Sequence, residues 1–182
     1  MIILIAGAFF VYNSEIREIT EDSTPFPMLS TPMSALSPDA PPIKGLSLAN
    51  TLPVLEDNDF ICVEKMETYN KIFFRTSCEQ KTADFDMNVH LISSNKKDII
   101  LVEAQIKQIN SPSDDQAVNF LSVVTELPVS GMDPDGVKLW IKTTLPFINK
   151  TPGMVVEKII NGIDFRVYGP SQNRTLEIVS HP

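Results

Sequence analysis

The sequence predicts an α+β fold: antiparallel sheet with about three helices against one face, in the order α-ββββ-αα-βββ. Three observations carry this. Within residues 83–92, Phe85, Met87, Val89 and Leu91 alternate with Asp84, Asp86, Asn88 and His90, the pattern of a half-buried strand. Asn161-Gly162 stands between two β-rich runs and fits a type I′ hairpin, whose central residues both need positive φ. Between these β regions lie two helical stripes bounded by proline, and helices segregated from runs of strands define the class.

The elements follow in order. Ser47 can cap a short helix running to about Asp57, with Leu48, Leu52 and Leu55 on one side; Pro53 should kink or split it. Phe60 to Cys78 reads as two strands around a turn near Tyr69-Asn70-Lys71. A turn centred on Asn70 puts Cys62 opposite Cys78 and Met66 opposite Phe74, so that Phe60, Cys62, Met66, Phe74 and Cys78 share a face. Opposed Cα atoms in such a pair are within reach of a disulfide, and we expect Cys62–Cys78 to be bridged. After the 83–92 strand, a turn at Ser93–Lys97 leads to a strand over Asp98–Ile109, with Ile100, Val102, Ala104 and Ile106 on one face and Leu101, Glu103, Gln105 and Lys107 on the other.

Ser113-x-x-Gln116 is a capping-box signature, and Ala117, Phe120, Leu121, Val124 and Leu127 follow at helical spacing until Pro128. Asp133-Pro134 starts the next helix, with Val137, Trp140, Ile141 and Leu145 as its stripe; Pro146 should end or kink it. Val155–Ile160, Ile163–Tyr168 and Thr175–Val179 are the last strands. A short echo between Ala49–Val54 and Lys142–Phe147 permits a second arrangement, two pseudo-repeated helix-plus-sheet units.

Ahead of this domain, placed at residues 45–182, lie two segments of different character. Residues 1–12 are uncharged and nearly all apolar, shorter than the roughly 20 residues a transmembrane helix needs. We read them as the outer part of a membrane anchor or signal helix, against the alternative of a strand or helix packed on the domain. Residues 13–44 hold six of the 14 prolines with Ser and Thr between them, the composition of a linker. Arg17 is the one cation beside Glu15, Glu18, Glu21 and Asp22, and cytoplasmic flanks of anchors are normally basic. The expected location is therefore extracytoplasmic, membrane-anchored or secreted, where a disulfide persists. A cytosolic domain with an apolar N-terminal strand is the alternative, and it requires both thiols free.

Asp59-Phe-Ile-Cys62, the aromatic-rich strand ending in Cys78, the Trp140 helix and Phe165-Arg-Val-Tyr-Gly169 together resemble uncharacterised small exported or membrane-anchored bacterial α+β proteins. The resemblance covers about residues 45–182. It implies an extracytoplasmic α+β domain and no activity.

Charge and composition exclude some functions. A net charge of −8 and an acidic isoelectric point oppose nucleic-acid binding. No Gly-rich phosphate loop or nucleophile elbow occurs, so no catalytic or cofactor-binding residue is assigned. His90, Asp86 and Asn88 share a strand face and could approach Glu103 or Gln105, but a polar solvent face explains them, and no metal is expected. His181 lies beside the terminus. Asp114-Asp115 and Asp133/Asp135 suit helix N-termini rather than acid–base catalysis. Trp140 belongs to its helix's core stripe. Arg166 and Tyr168 share the outer face of the last hairpin, opposite Ile159, and form a possible binding surface, since Arg and Tyr dominate interface hot spots. The expected function is protein binding or sensing outside the membrane, with the N-terminal segment reaching the membrane. A small-ligand carrier or an enzyme with a dispersed site is the alternative.

Overall fold

A computed structural model of the chain describes residues 40–69, 73–110, 112–151 and 153–180. The N-terminal anchor or signal reading, most of the linker, the turn at Asn70-Lys71 and His181 lie outside the described residues. The elements are α1 (Leu48–Asp57), β1 (Ile61–Tyr69), β2 (Phe73–Lys81), β3 (Phe85–Ser93), β4 (Ile99–Gln108), α2 (Asp114–Thr125), α3 (Pro134–Lys150), β5 (Val155–Ile160), β6 (Ile163–Tyr168) and β7 (Asn173–Ser180). All seven strands form one antiparallel sheet in the order β1-β2-β3-β4-β7-β6-β5. The fold is α+β with the predicted element order.

Two meanders meet at the β4–β7 pair. One has four strands after the 10-residue α1, the other three strands after the 17-residue α3. The echoing segments Ala49–Val54 and Lys142–Phe147 lie within those two helices.

All three helices share one core with one face of the sheet. Leu48 and Leu55 of α1, Phe120 and Leu121 of α2, and Val137, Ile141 and Leu145 of α3 join Val89, Ala104, Leu176, Ile178 and Phe165 in a single buried cluster. Burying a side chain of this size is worth roughly 1.5–3 kcal/mol, which is why these stripes decide where the helices lie. Phe60 and Phe120 meet with ring centroids 6.1 Å apart, which ties the start of the first hairpin to α2.

The Asn161-Gly162 turn is as predicted: both residues have positive φ, and Ile160 pairs with Ile163. Cys62 is opposite Cys78, and the two form a disulfide. Such a bridge suits an oxidising compartment. Among the described residues no helix is long and apolar enough to cross a membrane.

Other expectations are corrected. Met66 is not opposite Phe74: β1 inserts Glu64–Met66 against the single residue Thr76, and Phe74 faces Thr68. The irregularity displaces the pairing by two residues, so the alternation of faces survives on both sides of it. Of the two outcomes expected at each proline, a kink or a break, the break does not occur: Pro53 does not split α1, and α3 continues past Pro146 to Lys150. A proline removes one helical hydrogen bond, and packing of Ile141, Leu145 and Ile148 offsets that loss. The capping box at Ser113 does not form. Instead the buried Gln108 side chain accepts the Ser113 N–H at 2.6 Å and donates to the Ser113 carbonyl at 3.1 Å. In β4 a register shift opposite Ile92 and Ser93 places Ile99, rather than Ile100, in the main core cluster.

Candidate functional site

On the face of the sheet that none of the described helices covers, directly opposed residues build a continuous polar row. From β2 to β5 it reads Ser77, His90, Glu103, Glu177, Arg166 and Glu157, one residue per strand. Val63 extends it onto β1. Arg75 and Asp164 stand in the neighbouring row on one side, Asn88, Gln105, Thr175 and Tyr168 in the row on the other.

Its centre is dry. Glu103, Glu177 and Asp164 are only 4%, 2% and 4% exposed. The Tyr168 hydroxyl donates to Glu177 Oε1 at 3.0 Å, and Gln105 Nε2 donates to Glu103. Arg166 spans two carboxylates, with Nη2 2.7 Å from Asp164 Oδ2 and Nε 2.7 Å from Glu157 Oε1. His90 Nδ1 lies 3.2 Å from Ser77 Oγ.

Burial sets the protonation of this cluster. It pushes the Glu177 carboxyl up to about 7; the charges of Glu103 and Asp164 add to that, while the Tyr168 hydrogen bond and Arg166 oppose it. Glu103 is raised by burial, against the Gln105 hydrogen bond and the Arg75 charge. Tyr168 is raised by burial and then by the Glu177 charge. Burial alone would lower Arg166, but Asp164 and Glu157 outweigh it and hold the guanidinium charged. Two opposed carboxyl groups of this kind retain a proton into the neutral range, like other buried acid pairs.

Stability should record this. Glu177 binds its proton more tightly folded than unfolded, so its contribution is fully present below pH 4.5 and is lost as pH rises to about 7. A shift of that size corresponds to as much as ~3 kcal/mol. Glu177→Gln should therefore be ~2–3 kcal/mol more stable relative to the parent at pH 8 than at pH 4, in paired urea titrations. The same difference at both pH values would show that Glu177 is not held protonated by the fold.

The structure brings several predicted residues together here. Arg166 and Tyr168 share this face, half-buried and bound to acids of the row. They are not opposite Ile159, whose partner is Asp164; Arg166 faces Glu157 and Tyr168 faces Val155. Glu103 faces His90 and Gln105 faces Asn88, the convergence the alternation suggested. Asp86 instead pairs with Lys107. Among the described residues no three His, Cys, Asp or Glu side chains gather as a metal-holding group. Trp140 is half-buried against the core, and Asp114, Asp115, Asp133 and Asp135 stand at helix starts.

Sequence reasoning passed over Glu177 and Asp164. The signal was present in Thr175-Leu-Glu177-Ile, an acid alternating with buried aliphatics, but it reads equally as a solvent-facing position. At the margins of the same face, Ile61 (74% exposed), Val63, Val155 and Ile159 are exposed aliphatics on the outermost strands β1 and β5. A buried acidic centre that ends in the exposed Glu157 and is rimmed by aliphatic side chains can attract a cationic group and bury apolar surface beside it. No family model, curated protein or solved structure matches the chain.

Proposed function

We propose that the chain is an extracytoplasmic protein-binding module whose working surface is the face of the sheet that carries the acidic row. The partner is a protein segment carrying Lys or Arg between apolar residues. One observation supports this most directly: the opposed, buried Glu103–Glu177 pair lies at the centre of a face whose rim is exposed Ile and Val. Even with one proton held by the Glu103–Glu177 pair, the carboxylates near that centre outnumber Arg75 and Arg166, so the buried acids attract a cation through their charge and the exposed Glu157 can meet it directly. The Cys62–Cys78 bridge, the proline-rich linker and the apolar N-terminal run support the location. The linker, at about 3 Å per residue, could hold the domain tens of Å from a membrane surface.

Titration with a short peptide of alternating Lys and Leu, followed by amide NMR, tests the reading. Shifts should map to β3, β4, β6 and β7, weaken at least fivefold in Glu103→Gln/Glu177→Gln, and be absent with the Glu-for-Lys peptide. Shifts confined to the helices, or equal binding of the acidic peptide, would overturn it.

A further inference from the structure

The opposite side of the sheet holds a second feature, independent of the acidic row. α1 begins beside the β3–β4 turn, where the Leu48 N–H donates to the Lys97 carbonyl and Ser47 bridges Asp98, and ends beside β1. α2 packs on β4. Phe60 and Phe120 join the end of α1 to α2. Beside that contact, between Asn58 and α2, a cleft of about 380 Å³ remains open.

Its floor is the directly paired row Gln80, Met87 and Ile106, with Phe85 beside it. Phe120 and Val123 of α2 form an apolar wall. The polar groups are all carboxamides: Asn58, Gln80, Gln116 and Asn119. Asn58 Nδ2 donates to the Val54 carbonyl at 2.9 Å, which leaves its carbonyl oxygen for other contacts. Among the described residues no side-chain hydrogen-bond partner is found for Gln80, Gln116 or Asn119. No charged residue lines the cleft, although 21% of the chain is charged.

We infer that this cleft is a binding site for an uncharged saccharide of one or two rings. Three physical points lead there. A charged ligand would be desolvated with no counter-charge to receive it. Each carboxamide offers both donor and acceptor, which matches hydroxyl groups that do both. An aromatic and aliphatic floor accepts the C–H face of a sugar ring, and the volume lies at the small end of the range for small-molecule sites.

Methyl and side-chain amide NMR on the disulfide-intact protein tests this, with glucose, maltose, N-acetylglucosamine and its β-1,4 disaccharide as neutral probes. Glucose 6-phosphate and glucosamine are the charged counterparts. At least one neutral probe should produce saturable shifts of the Met87 methyl and the Gln80, Gln116 and Asn119 amides. Its affinity should fall at least tenfold in Gln116→Ala/Asn119→Ala, two changes on the outer side of α2, and should be unchanged in Glu103→Gln/Glu177→Gln. No saturable shift with any neutral probe, equal binding of a charged counterpart, or shifts confined to the acidic row would overturn the inference.

Discussion

Arg174→Ala should lower the stability of the domain by about 3–4 kcal/mol, read as a fall in the urea midpoint. Arg174 is fully buried on β7, opposite Ile106 and on the helix side of the sheet. Its guanidinium donates to the Gly169 carbonyl and to Asn149 Oδ1, and lies 3.4 Å from Asp114 Oδ1. One side chain thus joins the start of α2, the end of α3 and the β6–β7 turn. Gly169 has φ +97°, and a Cβ there would come 2.1 Å from the Asn173 carbonyl oxygen, so the turn that presents the carbonyl requires glycine. Burial lowers the Arg174 pKa, and Asp114 works against that. Asp114 is itself partly exposed, so most of the loss comes from the cavity and the two orphaned acceptors rather than from the ion pair. Arg174→Met separates these contributions: it fills most of the space and makes no hydrogen bond, and should cost about 2 kcal/mol. A methionine variant as stable as the parent would mean that the polar anchor contributes nothing net.

Removing the disulfide should cost about 3 kcal/mol, the chain-entropy value for a loop of this length. Cys62 and Cys78 are 16 residues apart, Cys78 has no exposed surface, and the bridge spans the outermost pair of strands. Among the described residues β1 has β2 as its one neighbour, and their pairing is interrupted after Val63. The bridge holds that edge strand in register where the ladder is weakest. Cys62→Ala/Cys78→Ala should lower the urea midpoint in proportion, with the amides of β1 losing protection from hydrogen exchange before those of β4 and β7. Uniform loss across the sheet would show that the edge has no separate stability. Peptide mapping under non-reducing conditions, on protein taken from its native compartment, should find the two cysteine peptides joined. Two alkylatable thiols would remove the argument for an oxidising location.

Much of the fold was legible because it is written in local periodicity. The 85–91 alternation, Asn161-Gly162 and Asp133-Pro134 each depend on a few adjacent residues, and each element formed where it was expected. The misplacements were at points where a distant group outbid a local rule. Gln108 took over the Ser113 cap, core packing carried α3 through Pro146, and an irregularity in β1 moved the partner of Phe74.

The candidate site was half legible for the same reason. Alternation placed His90 on a polar face and suggested Glu103 as its neighbour. It could not bring Glu177 beside Glu103, because β4 and β7 are separated by both long helices and the last hairpin. Nor could it distinguish Arg174, buried among helix ends, from an ordinary arginine after a turn.

By itself, then, the sequence determined the elements, their order, the faces along the regular parts of the strands and the cysteine pairing, because backbone geometry and turn chemistry act over a few residues. The tertiary structure decided which strands became neighbours, which face the helices covered, and so which charges lost their water. Burial and charge proximity are non-local quantities: the same Glu is a solvated surface acid or a carboxyl held protonated near neutrality depending on what stands across the sheet from it.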